Sequence, residues 1–253
     1  TSEKKILAVT SGKGGTGKSF FALNYAYQLS LSGKKILLVD LDSNLANIDI
    51  MLNETPSITI DDYLQNRVLL KELPVNVRTN FDVIFGDSGK LNLPEKRREI
   101  IDFLLSSIEQ LTFQYDLIII DTGAGVQRNS LYFLSNVDYI ILVINPDPTS
   151  VMDGYAITKL LVSEFGKKEM GVVINKCDDE DEGNVAFQNI NTATTHFLKT
   201  ELKHIGNINF SQDVYKSIKE QVILSEDYKE SPIVSQINTI LNHTMKLLKF
   251  CNK

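Results

Sequence analysis

The sequence predicts an α/β fold, a doubly wound and mostly parallel sheet with helices on both faces. Three observations predict it. Short β-branched apolar runs alternate with amphipathic stretches along the chain, the pattern of βαβ units. A glycine-rich segment, residues 12–19, separates the first apolar run from the first helical pattern. Two further apolar runs end in aspartates, Asp40 and Asp121, and the carboxyl edge of such a sheet is where ligands bind.

The expected strands are residues 6–10, 35–40, 81–85, 116–121, 139–144, 171–175 and 204–209, and the expected helices 18–32, 94–111, 129–137, 150–165, 184–202 and 232–250. The first strand runs into Gly12-Lys13-Gly14-Gly15-Thr16-Gly17-Lys18-Ser19. Gly12, then Gly17-Lys18-Ser19 after four intervening residues, is P-loop spacing. Its glycines let backbone N–H groups close on phosphate oxygens, and the positive end of the following helix faces the same anion. Residues Gly12 to Ser19 and Phe20 are therefore the expected nucleotide-binding set, with Lys18 on the β- and γ-phosphates and the Ser19 hydroxyl on Mg²⁺. Lys13 is a second lysine in a loop that already has one. It is either a solvated surface residue or a finger for another molecule.

The second strand delivers Asp40-Leu41-Asp42, two carboxylates on one face of an extended segment. Each is a candidate for the Mg²⁺-phosphate group or for a cap at the start of the loop. Leu117-Ile118-Ile119-Ile120 ends in Asp121-Thr122-Gly123-Ala124-Gly125, which reads as a Walker B aspartate followed by a switch loop. After the fifth strand, Pro146 and Pro148 stop the sheet and Ser150 is the expected N-cap.

The sixth strand ends in Asn175-Lys176-Cys177-Asp178. Asn-Lys-x-Asp is a guanine-reading pattern, yet Asp178 also opens the acidic run 178–182, which reads as a solvated loop. Asn175 is the base contact in either case. The last helix carries Val234, Ile237, Leu241, Met245 and Leu248 on one stripe, a core pattern. Lys246, Lys249 and Lys253 flank apolar residues there, so residues 246–253 are also a candidate for reversible membrane contact.

Composition limits the classes. The 253 residues, 43% hydrophobic and 23% charged, suit a single domain over 1–253 with its own core. A net charge of −6 argues against a broad nucleic-acid surface. Cys177 and Cys251 form no C-x-x-C pair, which fits a reducing cytosol, and the isolated His196, His204 and His243 do not read as metal ligands. No run approaches the roughly 20 apolar residues of a membrane span, and no signal-peptide pattern opens the chain. It begins at Thr1 rather than Met, which leaves room for an upstream segment.

The form Lys13-Gly14-Gly15-Thr16-Gly17-Lys18-Ser19 resembles the deviant Walker A motif of the MinD/ParA ATPases. The resemblance implies a MinD-like P-loop NTPase fold and an ATP-dependent homodimer in which Lys13 crosses to the partner's phosphates. An analogous arginine finger is worth roughly 10³ to 10⁵ in rate. It further implies a catalytic set of Lys13, Lys18 and Asp42, with Asp42 on the attacking water, a metal set of Ser19, Asp40 and Asp121, and Asn175 against adenine. ATP and Mg²⁺ are then the expected ligands. Residues 44–52, Asp121-Thr122-Gly123-Ala124-Gly125 and the run Pro148-Thr149-Ser150 are similar to the FlhG (FleN, YlxH) flagellar number regulators, a branch of that family. Ser43-Asn44 and Asn209 depart from the branch, which usually has an aliphatic-glycine pair and a proline there. The branch implies control of flagellar number or placement and a cytoplasmic protein, peripheral on the inner face of the cell membrane. Its implied partners are basal-body proteins, transcription regulators and the GTPase FlhF, which an N-terminal segment stimulates; none is visible before Lys4. The alternatives are a MinD/ParA-type division or plasmid-positioning ATPase, a GTP-binding regulator, and a nucleotide sensor without turnover.

Overall fold

The structure is a computed structural model that describes residues 6–42, 47–86 and 97–248. The Ser43-Asn44 departure, the segment before Lys4, the expected start of a helix at residue 94 and most of the 246–253 segment lie outside them.

The chain opens with β1 (Ile6–Thr10), α1 (Lys18–Ser30), β2 (Ile36–Leu41) and the short helices α2 (Ile48–Met51) and α3 (Ile60–Leu64). It continues with β3 (Val75–Arg78), β4 (Phe81–Ile84), α4 (Arg98–Leu111), β5 (Leu117–Thr122), α5 (Arg128–Ser135) and β6 (Tyr139–Ile144). Then come α6 (Pro148–Phe165), β7 (Met170–Cys177), α7 (Glu180–Leu198), β8 (Lys203–Asn209), α8 (Gln212–Glu220), α9 (Leu224–Asp227) and α10 (Pro232–Leu247).

The strands form one eight-stranded sheet in the order β3-β4-β2-β5-β1-β6-β7-β8. All described neighbours are parallel except β3 and β4. Every residue of β2, β5 and β6 is buried, which is why these strands read as continuous apolar runs rather than alternating ones. On one face, α1, α9 and α10 pack with Phe21, Tyr25 and Ile237 in the core. On the other, α4 to α7 contribute Leu104, Leu131, Ile157 and Ile190.

This order places the site. The chain leaves β1 through α1 toward β2 on one side, and β6 to β8 extend the sheet on the other, so the carboxyl end of β1 lies where the winding changes sense. In the register, Asp121 stands opposite Val9 of β1 and opposite Asp40 of β2. Both acidic strand ends therefore flank the glycine-rich loop.

Four sequence expectations need correction. The antiparallel edge strand β3 and the helix α8 were not anticipated, because β3 is four half-exposed residues and only Ser217 of α8 is buried. The acidic run is largely exposed as expected but is loop only at Asp178 and Asp179: Asp179 accepts from the Glu182 N–H as N-cap, and Glu180, Asp181 and Glu182 form the first turn of α7. Negative side chains are favourable at that helix end. The N-cap of α6 is Asp147, not Ser150; it accepts from the Ser150 N–H at 2.9 Å, with Pro148 in the first turn. Ser150 instead accepts from the Asn145 N–H through its hydroxyl. Ile237 and Met245 of α10 and Leu248 at its C-cap are buried, so the stripe through Leu248 packs on the core. No described helix is long and apolar enough to cross a membrane.

Candidate functional site

At the carboxyl edge, residues Gly14 to Phe20 line a cavity of about 400 Å³ with Asp42 and Asn175. Its far end is apolar, walled by Met51 of α2 and by Phe210, Val214, Tyr215 and Ile218 on and before α8. Met51 lies in the 44–52 segment and Phe210 and Val214 follow Asn209, both stretches singled out in the sequence for their family resemblance; the contribution of Tyr215 and Ile218 was not read there. Gly17 sits at φ 89° and an added Cβ would lie 2.3 Å from Asn175 Nδ2, so both backbone and space require glycine there. Gly12 does not line the cavity; its Cβ would meet Asp153 of α6 at 2.5 Å, which makes it the point where the loop and α6 touch.

Lys18 is buried in this cavity and donates to Asp42 Oδ2 at 2.9 Å and Asp121 Oδ1 at 3.0 Å. Burial alone would lower its pKa, but the charges of Asp121 and Asp42 outweigh that and hold it above the ordinary lysine value. Asp40 is buried one strand over; burial first, then the Asp121 charge, push its carboxyl up to about 8. Its oxygens accept from the N–H of Asp42 at 2.9 Å and of Ile48 at 3.4 Å. Burial likewise raises Asp121. Asp121 Oδ1 is held by Lys18 while Oδ2 is buried without a partner, and Ser19 also lines the cavity. A buried, unpartnered carboxylate oxygen beside a hydroxyl suits a hard cation that shares its ligands with phosphate. Ser19 and Asp121 fit such a cation on this geometry, whereas Asp40, the third member of the expected metal set, does not line the cavity and has both oxygens accepting from backbone N–H groups.

Lys13 goes elsewhere. Its ammonium donates to Asp147 Oδ1 at 2.9 Å and to Thr149 Oγ1 at 2.9 Å, both at the start of α6, and it does not line the cavity. The Thr149 hydroxyl, with Lys13 and the Ser150 N–H, holds the Asp147 carboxyl down at about 2. The two lysines of one loop thus face different places.

Asn175 donates to the Thr16 carbonyl at 2.7 Å, and Lys176 to the Gly15 carbonyl at 2.7 Å. Asn145, its carboxamide turned so that nitrogen faces acceptors, donates to the carbonyls of Thr16 and Asn175. Sequence reasoning left Asn145 out, because nothing local connects the end of β6 to residue 16. Asp178, which completes the guanine-reading pattern, does not line the cavity, and its N–H donates to Glu182. Gly125, in the loop after β5, donates its N–H to the Ser11 carbonyl at 3.0 Å.

Fold and site together define a P-loop nucleotide-binding protein of the doubly wound class, with a second lysine directed away from its own cavity. Residues 7–224 match the model of the CobQ/CobB/MinD/ParA nucleotide binding domain. The chain is 31% identical to the flagellum site-determining protein YlxH of Helicobacter pylori over 87% of this chain and 74% of that protein. It is 28% identical to the antiactivator FleN of Pseudomonas aeruginosa over 90% of this chain and 81% of that one. The septum site-determining protein MinD of Pyrococcus horikoshii, solved with Mg-ADP, superposes with a TM-score of 0.80 at 22% identity, over 99% of both chains. The chain belongs to the MinD/ParA family of P-loop ATPases and, within it, to the FlhG branch that holds YlxH and FleN.

Proposed function

We propose that this chain is an ATP-driven dimerisation switch that hydrolyses ATP to ADP and phosphate and regulates flagellar number or placement. The observation that carries the reading is the division of labour between Lys18, buried among the cavity's carboxylates, and Lys13, held at its rim by Asp147 and Thr149. A lysine turned away from its own cavity becomes available to a second copy's triphosphate once Asp147 and Thr149 release it.

In this account the chain's residues act as follows. The backbone of residues 14–19 cradles the phosphates. Lys18 exchanges its contacts with Asp42 and Asp121 for the β- and γ-phosphate oxygens. That exchange frees Asp42 to orient the attacking water. Ser19, Asp40 and Asp121 would hold Mg²⁺, which would supply charge neutralisation for the phosphates. Lys13 leaves Asp147 for the partner's phosphates and stabilises charge there as an arginine finger does. Asn175 stands at the base end of the cavity. The absence of Asp178 from the cavity lining favours adenine over guanine.

The flagellar assignment draws support from the names of the two relatives, a flagellum site-determining protein and an antiactivator. Basal-body components, a transcription regulator or an FlhF-type GTPase are the partners the reading calls for, together with reversible contact of residues 246–253 with the inner face of the cell membrane. The test is genetic and biochemical at once: flagellar counts in a deletion strain complemented with wild-type chain or Lys13→Ala. Correct counts restored by both, with turnover in vitro equal, would contradict the reading.

A further inference from the structure

Within the run Asn175-Lys176-Cys177-Asp178, Lys176 has no task in the nucleotide chemistry above. Its backbone is nonetheless held at φ 62°, in the left-handed region where a lysine is at a cost and persists only when its surroundings hold it. From that position its ammonium donates to the Gly15 carbonyl at 2.7 Å. The preceding side chain, Asn175, donates to the Thr16 carbonyl at 2.7 Å. Both side chains close over Gly17, where an added Cβ would lie 2.3 Å from Asn175 Nδ2 and 4.0 Å from Lys176 Cε.

Two successive peptide carbonyls of the loop are therefore drawn toward the end of β7. In a planar trans peptide the C=O of one residue and the N–H of the next point in opposite directions. Holding the Gly15 carbonyl aims the Thr16 N–H away from the clasp, and holding the Thr16 carbonyl does the same for the Gly17 N–H. Those are donors that a phosphate cradle needs pointing inward before the anion arrives, when no ligand charge is there to align them.

We propose that Lys176 is a positioning residue for the nucleotide: it pins the Gly15–Thr16 peptide so that the loop is preformed. The proposal rests on the reading of the cavity as a nucleotide site. It makes a distinctive demand, because the pinned peptide serves ADP and ATP alike and because the strain belongs to the backbone while the function belongs to the ammonium.

The experiment is calorimetric titration of ADP and of ATP with Mg²⁺ into wild-type chain, Lys176→Gly and Lys176→Arg, with thermal melting of each nucleotide-free protein. Lys176→Gly is expected to weaken both nucleotides about tenfold, the worth of one charge-assisted hydrogen bond. Its melting temperature stays unchanged or rises, since glycine suits a positive φ. Lys176→Arg, which keeps a cationic donor, restores most of the affinity. Wild-type affinity in Lys176→Gly overturns the proposal. So does a loss confined to ATP, the mark of a lysine acting on the γ-phosphate, or a loss matched by a lower melting temperature. A wild-type chain that binds neither nucleotide overturns the nucleotide reading itself, and the proposal with it.

Discussion

Lys13 and Asp147 form an ion pair across the rim of the cavity, with side chains 33% and 44% exposed. At that exposure the pair contributes little to stability, so its interest is in what it withholds. While Asp147 and Thr149 hold the ammonium, it is not presented to another molecule. Asp147→Asn keeps the N-cap of α6, since asparagine caps as well as aspartate, and removes only the charge. Unfolding free energy should change by less than about 1 kcal/mol, while dimerisation sets in at a lower ATP concentration; an unchanged dimerisation midpoint would show that the pair restrains nothing. The pH sense follows from the depressed carboxyl. Its folded pKa of about 2 lies below the ordinary value of 3.8, so the contribution is complete above that ordinary value and is lost as pH falls through about 2. A second residue-scale expectation concerns Asp42, which now faces Lys18. Asp42→Ala should abolish turnover yet retain ATP, trapping the bound dimer, and residual wild-type turnover in that variant would remove Asp42 from the chemistry.

Among elements, the loop between β1 and α1 and the start of α6 are built against each other through Gly12. Gly12→Ala puts a methyl 2.5 Å from Asp153, an overpacking that should cost about 1–3 kcal/mol in denaturant unfolding without any nucleotide present. If the loss appears only with ATP bound, the contact is functional rather than structural. This level also shows what the sequence made legible. The phosphate loop was readable because its eight residues are contiguous, and the strands carrying Asp40 and Asp121 because burial on both faces makes them uninterrupted apolar runs. The Asn145–Thr16 and Lys176–Gly15 contacts were not readable, since they exist only once β6 and β7 lie beside the loop. β3 buries too little to leave a periodic signal, α8 is only nine residues long, so the helical spacing of Val214 and Ile218 passed unread, and the first turn of α7 was taken for loop because five acids in a row suggest solvent before they suggest a helix N-terminus.

For the molecule as a whole, the proposed account puts fuel, metal and pairing at one sheet edge. Specificity for the base is tested by melting: at about 100 times its dissociation constant a ligand adds about 2.7 kcal/mol, so ATP with Mg²⁺ should raise the melting temperature by roughly 5–10 °C. GTP at the same concentration should leave it nearly unchanged, and the reverse order would make this a GTP-binding regulator. The central claim is that Lys13 completes the pocket of a second copy, and subunit mixing tests it most directly. Lys13→Ala has an intact pocket and no finger; Asp42→Ala has a finger and a disabled pocket. Each alone should be inactive. If Lys13 acts across the interface, ATP turnover reappears when the two variants are mixed, because the mixed dimer holds one complete site. A mixture as inactive as its components would contradict the account.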